Sequence, residues 1–142
     1  MTDLEKAIAI AVEAHQGQVD KSGEPYILHP LRLMFAVTTT EERIAAVLHD
    51  VIEDSQWTFA DLREKGFSEA AIEAVDALTR RPAESYEDFI LRAKANPIAR
   101  RVKLADLKDN SDITRLKEIT DNDRARLAKY QRALEVLQVP AG

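Results

Sequence analysis

The 142-residue chain contains no cysteine. That excludes a disulfide scaffold and every metal site built on thiolates. Four glycines and five prolines are too few for a collagen-like or proline-rich chain. No stretch approaches the roughly 18 apolar residues of a membrane-spanning helix. The opening Met1-Thr2-Asp3-Leu4-Glu5 is acidic and lacks the basic-then-apolar layout of a secretory signal. A cytoplasmic protein without a membrane partner is therefore expected. Positive charge is also in short supply, with 20 basic against 25 acidic residues and a net charge of −5. This argues against sequence-independent binding to DNA or RNA, though not against a small anion in a local basic pocket. Histidine occurs only three times.

What is present suffices for a folded domain. At 45% hydrophobic and 32% charged, the chain can bury a core under a solvated surface, and its length suits a single domain over 1–142. Helical periodicity dominates. Leu4, Ala7, Ile8, Ala11, Val12 and His15 recur at spacings of three and four, forming one amphipathic stripe over 3–15. Residues 16–25 read as a loop broken by Gly17, Gly23 and Pro25. Proline is favoured at a first helical position, which would put His29 at the cap of a helix running to about Val37.

Thr39 and Glu42 form a capping-box pattern ahead of a helix through Ile44, Val47, Leu48, Val51 and Ile52. Further starts are marked by Thr58 with Asp61, Ser68, Ser85 with Asp88, and Pro97. A last helix covers roughly 121–138. With no convincing period-two run, the chain is expected to be all-α, with about eight helices.

Three segments stand out chemically. Leu48-His49-Asp50-Val51-Ile52-Glu53-Asp54 spends four polar positions inside an expected helix. Spacing of four would put Glu53 over His49 and Asp54 over Asp50. Clustered carboxylates are costly to desolvate without a cation or proton, so this is either a divalent-metal site or a solvated polar stripe. In Val102-Lys103-Leu104-Ala105-Asp106-Leu107-Lys108-Asp109-Asn110, Asp106 lies among apolar neighbours with Lys103 and Asn110 on its face. A simple Lys103–Asp106 helix pair and a ligand role both fit. The third segment, from Ala14 to Pro30, is a polar glycine-containing loop ending in His29.

Together the segments resemble the HD superfamily of metal-dependent phosphohydrolases, specifically the hydrolase domain of the RelA/SpoT-type alarmone enzymes and their stand-alone small relatives. The pattern A-H-x-G-Q…K-S-G-E-P-Y…H-P, then L-H-D-x-x-E-D, then V-K-L-A-D-x-x-x-N occurs here in order, and the resemblance covers roughly 4–130. It implies an HD-type helical bundle with His29, His49, Asp50 and Asp106 as metal ligands, and manganese as the usual ion. This thiolate-free N2O2 set does not by itself select zinc. The resemblance further implies Glu53 and Asp54 as the pair that orients or deprotonates the attacking water. Lys21, Ser22 and Asn110, with Lys129 and Tyr130 on the last helix, would contact the nucleotide. His15 matches a position that is not a ligand.

The implied reaction is hydrolysis of the 3′-pyrophosphate of guanosine tetra- or pentaphosphate to GDP or GTP plus pyrophosphate. An adenosine alarmone, another nucleotide 2′- or 3′-phosphate, or a non-catalytic nucleotide sensor are the alternatives. No synthetase domain is expected within this length. Two positions depart from the family. Asp20 stands where an arginine commonly lies against the base, and Leu107-Lys108-Asp109-Asn110 replaces Arg-Leu-His-Asn. An aspartate cannot stack as a guanidinium does, which bears on the choice of guanine.

Overall fold

Polar caps define the ends of most helices in this fold. The computed structural model describes residues 1–140. Its elements are α1 (Asp3–Ala14), α2 (Leu28–Ala36), α3 (Thr40–Leu48), α4 (Val51–Asp54), α5 (Phe59–Glu64), α6 (Glu69–Ala77), α7 (Tyr86–Lys94), α8 (Pro97–Asn110), a 3-10 turn at Ile113–Arg115, and α9 (Asp121–Gln138). Thr2, Thr39, Thr58 and Thr120 each close a reciprocal capping box, with Glu5, Glu42, Asp61 and Asp123. Ser68, Ser85 and Asn96 accept from first-turn amides of α6, α7 and α8. Such a cap is worth about 1 kcal/mol. Gly66, at φ +86°, follows α5 in the left-handed conformation that stops a helix.

Helix α3 is the centre of the molecule. Ile44, Ala45, Ala46, Val47 and Leu48 are all buried, because α1, α2, α6 and α8 pack around it. A smaller apolar cluster of Ile90, Leu107, Ala133, Leu134 and Leu137 joins α7, α8 and α9. Among the described residues the only extended pairing is an isolated antiparallel bridge, Val19 to Pro25, and no helix is long and apolar enough to cross a membrane. The chain is all-α, as its periodicity indicates.

All eight expected helices are present, and two differ in a way that matters for the site. Helix α2 begins at Leu28, so His29 lies in the first turn rather than at the cap. Pro30 costs no hydrogen bond there, since the first-turn amides lack intrahelical partners. The third expected helix is split, with α3 ending at Leu48 and α4 starting at Val51. Asp50 adopts φ −108°, ψ 0° at the break. Consecutive side chains on a regular helix diverge by about 100°, yet Nε2 of His49 and Oδ2 of Asp50 lie 3.0 Å apart. The break after α3 turns both toward one point.

Candidate metal centre and nucleotide cavity

The break in α3–α4 faces the start of α2 and the middle of α8. There Nε2 of His29 lies 2.9 Å from Oδ1 of Asp106, and Nε2 of His49 lies 3.6 Å from the same oxygen. Donor atoms of His29, His49 and Asp50 all fall within 4.8 Å of one another. Asp106 approaches that trio through the two histidines. All four residues expected as ligands thus meet at one place, and three of them are almost fully buried.

Whether this set fits a metal is decided by its lone pairs. Nδ1 of His49 lies 2.8 Å from the carbonyl of Ala46, so it must carry the proton and donate. That leaves Nε2 as the lone-pair nitrogen of the neutral ring, and it is buried without a hydrogen-bond partner. An unpartnered buried nitrogen facing carboxylates is costly unless a proton or a cation sits between them. Two imidazole nitrogens and two carboxylates therefore make a set that could hold a divalent ion.

The electrostatics are those of tightly paired acids and bases. Burial opposes charge on both histidines, but Asp106 and Asp109 outweigh it at His29, and Asp50 and Asp106 at His49, so both rings are more basic than usual. Burial would likewise raise Asp50, yet His49 holds it at about 2. Asp106 is held well below the carboxylate range against its burial, by Lys103 first and then by His29 and His49. Lys103 donates to Oδ2 of Asp106 at 2.8 Å, with both side chains buried. The Lys103–Asp106 helix pair is formed, and the other oxygen of the same carboxylate faces both histidines, so the pair does not exclude a ligand role. Asn110 donates to Oδ1 of Asp106 at 3.1 Å, and the Tyr26 hydroxyl donates to Oδ2 of Asp50.

A cavity of about 650 Å³ opens from this centre, within the range of small-molecule sites. Lys21, Ser22, Asn110, Lys129 and Tyr130 all line it, together with Asp50, Glu53 and Asp106. Lys129 lies over the Tyr86 ring, 4.4 Å from its centroid. Burial, together with Arg80, Lys103 and Arg126, makes Lys129 easier to deprotonate than a free lysine. Lys21 is shifted the same way by burial and by Arg126. Cations that repel one another across a cavity favour an anion between them.

The Glu53–Asp54 pair is divided by the fold, contrary to a shared helical stripe over His49 and Asp50. Glu53 lines the main cavity and accepts the Arg80 backbone amide at 2.6 Å. Asp54 lines a second opening, with Glu13, Trp57 and Asp61, and lies 3.8 Å from Nδ1 of His15. In the four-residue α4, neighbouring side chains diverge by about 100°, so the two acids face different openings. Both acids are pushed up, by burial first and by Asp50 next among the raising effects. His15 is buried at the end of α1, bonded to Gln18 and packed on Tyr26 at 4.8 Å, away from the ligand set.

The loop carrying Lys21 and Ser22 is built by Asp20. Its Oδ1 accepts the amides of Ser22 at 2.8 Å and Glu24 at 3.0 Å, an Asx-type turn. One of the two carboxylate oxygens at the departing position is thus committed to the backbone. Ser22 donates its hydroxyl to the Arg115 carbonyl at 2.9 Å, which anchors the loop.

Several residues at the site carried no sequence signal strong enough to single them out. Arg32, Arg80, Tyr86, Arg115 and Arg126 line the cavity, and the Tyr86 hydroxyl is buried without a partner. Asp109 accepts from Nδ1 of His29 at 2.6 Å and from both Nε and an Nη of Arg32, at 2.8 and 3.0 Å. Its spacing of three from Asp106 on α8 was the available clue. Arg100 and Arg101 bond to the end of α9 and to Glu42 respectively, outside the cavity, as helix-surface residues.

A family model described as "HD domain" matches residues 7–132. The chain is 32% identical over 139 residues to a guanosine-3′,5′-bis(diphosphate) 3′-pyrophosphohydrolase of Aquifex aeolicus, covering 89% of this chain and 20% of the relative. It is 35% identical over 135 residues to the protein of the same name from Haemophilus influenzae, covering 84% and 20%. A GTP pyrophosphokinase of Streptomyces coelicolor is 31% identical over 144 residues, covering 89% and 16%. The chain spans about a fifth of the length of the curated relatives it matches. A solved structure of a metazoan ortholog of SpoT that hydrolyzes ppGpp superposes with a TM-score of 0.78 at 23% identity, covering 97% of this chain and 86% of that one. The fold is shared with that protein.

Proposed function

Because the chain belongs to the HD domain family, we propose that it hydrolyses the 3′-pyrophosphate of guanosine tetra- or pentaphosphate, with a divalent ion, manganese, held by His29, His49, Asp50 and Asp106. The observation that carries this reading is the meeting of His29, His49 and Asp106 across 77 residues of sequence, at the floor of a cavity lined by Lys21 and Lys129. When bound, the ion would lower the pKa of a water and polarise a phosphoryl oxygen.

The protein's own residues supply the rest. Water adds to the phosphorus attached to the ribose 3′ oxygen, the phosphorus–oxygen bond breaks, and pyrophosphate departs while the 3′ oxygen takes a proton. Glu53, at the cavity wall and more basic than a free glutamate, is the group that accepts a proton from the water. Asp54 acts on it from the far side of α4, where its charge adds to the effects that raise Glu53. Lys21, Ser22, Asn110, Lys129 and Tyr130 hold the nucleotide and its phosphates. The substrate places this activity in the cytoplasm, where nucleotides are made and consumed.

An adenosine substrate is a second reading with an observation behind it. Asp20 is engaged with its own loop and offers no cationic plane to a base, which leaves base choice to the rest of the cavity. A manganese-supplemented screen of guanosine and adenosine 3′-pyrophosphates, read by pyrophosphate release, tests both. Release from the guanosine compounds supports the reading. Release from the adenosine compounds alone moves the substrate, and no release from either removes the hydrolase.

A further inference from the structure

We propose that Asp109 is a positioning residue that fixes which nitrogen of His29 faces the ligand set, and that ties the substrate loop to the same ring. The inference rests on the metal reading above and goes beyond it, since Asp109 lies outside the four expected ligands.

The side chain of Asp109 is 13% exposed and leaves α8 one turn after Asp106. An ionised carboxylate has no proton to give, and Asp109 meets the Arg32 guanidinium through both of its oxygens, at 2.8 and 3.0 Å, the bidentate geometry of an ionised pair. Nδ1 of His29, 2.6 Å from Oδ2, must therefore donate. In the neutral ring that a metal would take, the lone pair then sits on Nε2, which faces Oδ1 of Asp106 at 2.9 Å. Without this acceptor either nitrogen could carry the proton, and one of the two tautomers presents no lone pair to a metal. A carboxylate on the remote nitrogen also raises the ligand basicity of an imidazole.

The same carboxylate is clamped from the other side. Arg32 donates to both oxygens, at 2.8 and 3.0 Å, so Asp109 cannot turn away from His29 without breaking a bidentate pair. Arg115 donates to the Asp109 carbonyl at 2.9 Å, and its own carbonyl accepts from Ser22. A continuous set of contacts thus runs from the Lys21–Ser22 loop through Arg115 and Asp109 to His29.

The competing explanation is a plain ionic staple between α2 and α8, and manganese affinity of the purified protein without substrate separates the two. Asp109→Ala should weaken manganese binding by roughly ten- to hundredfold, the range for loss of such an outer partner. Asp109→Asn, which keeps an acceptor oxygen, should recover most of that loss. Arg32→Ala removes the staple but leaves the Asp109–His29 bond, and should lower the melting temperature while weakening manganese binding clearly less than Asp109→Ala does. Unchanged affinity in Asp109→Ala, or equal losses in Asp109→Ala and Arg32→Ala, would overturn the proposal. If Asp109→Ala fails to fold, nitrogen NMR of the zinc-loaded unmodified protein gives the answer. Nδ1 of His29 should be protonated and Nε2 bound, and the reverse overturns the proposal. An unmodified protein that binds no divalent ion would sink the metal reading and this inference together, whereas normal binding unaffected by Asp109→Ala sinks this inference alone.

Discussion

The Nε2 of His29 and Oδ1 of Asp106 lie 2.9 Å apart although 77 residues separate them in the chain. The contact joins the first turn of α2 to α8, and His49 reaches the same oxygen from the break after α3. Among the described residues, Asp106 is also the only ionic partner of the buried Lys103 ammonium.

Removing Asp106 should therefore do two separable things. Asp106→Ala should abolish metal binding, and it should also leave Lys103 as an unpaired buried cation, costing about 3–5 kcal/mol. Adding Lys103→Met should restore much of the stability without restoring the metal. Denaturant unfolding beside metal titration checks this, and equal stability of the single and double variants would contradict it.

Glu53 and Asp54 should differ in effect, because only Glu53 lines the main cavity. Glu53→Gln should lower kcat by roughly 10²–10⁴-fold, as for a general base, with metal content unchanged. Asp54→Asn should cost less. The raised pKa of Glu53 has a definite sign: the basic form is lost at a higher pH than for a free glutamate. The acid limb of kcat should accordingly lie above the ordinary glutamate range and vanish in Glu53→Gln.

Lys21 and Lys129 are expected to bind rather than catalyse. Lys21→Ala and Lys129→Ala should each raise KM with little change in kcat, the signature of lost uniform binding. The effect should shrink as salt is added, because screening already weakens an exposed cation's pull. A loss confined to kcat would assign these lysines a different part.

Asp20 should act through the backbone it holds. Asp20→Asn keeps an acceptor for the Ser22 and Glu24 amides and should retain turnover, whereas Asp20→Ala should raise KM by loosening the Lys21–Ser22 loop. A shift in the ratio of kcat/KM between guanosine and adenosine substrates in Asp20→Asn would instead assign Asp20 to the base.

A control lies away from the cavity. Glu42 is 1% exposed and, against its burial, is lowered to about 2 by the amides of Thr39 and Thr38 and by Arg101. A depressed folded-state pKa contributes stability above the unfolded value near 4.3, and that stability is lost as pH falls toward 2. Glu42→Gln should cost roughly 2 kcal/mol at neutral pH, with the gap closing in acid. Melting temperatures of both proteins between pH 2 and 7 check this, and a constant gap would contradict it.

Much of this architecture was legible because caps and helical periodicity are local. Thr39 with Glu42 and Thr58 with Asp61 mark helix starts that the structure reproduces. The break at His49–Asp50 was not legible, since no glycine or proline marks it in Leu48-His49-Asp50-Val51 and the hydrophobic period runs on through it. The four proposed ligand positions could be named only through a resemblance, because spacing says nothing about whether α8 faces α2. The roles of Asp109, Arg32 and Tyr26 were not legible for the same reason: they rest on contacts between elements far apart in sequence, and charged or aromatic residues at those spacings are ordinary on helix surfaces.

The most direct measurement is phosphorus NMR of guanosine tetraphosphate incubated with the protein and manganese. Equal amounts of pyrophosphate and GDP should appear, with Asp50→Ala inactive under the same conditions. Orthophosphate as the first product, loss of the 5′ phosphates, or no turnover with metal bound would contradict 3′-pyrophosphate hydrolysis.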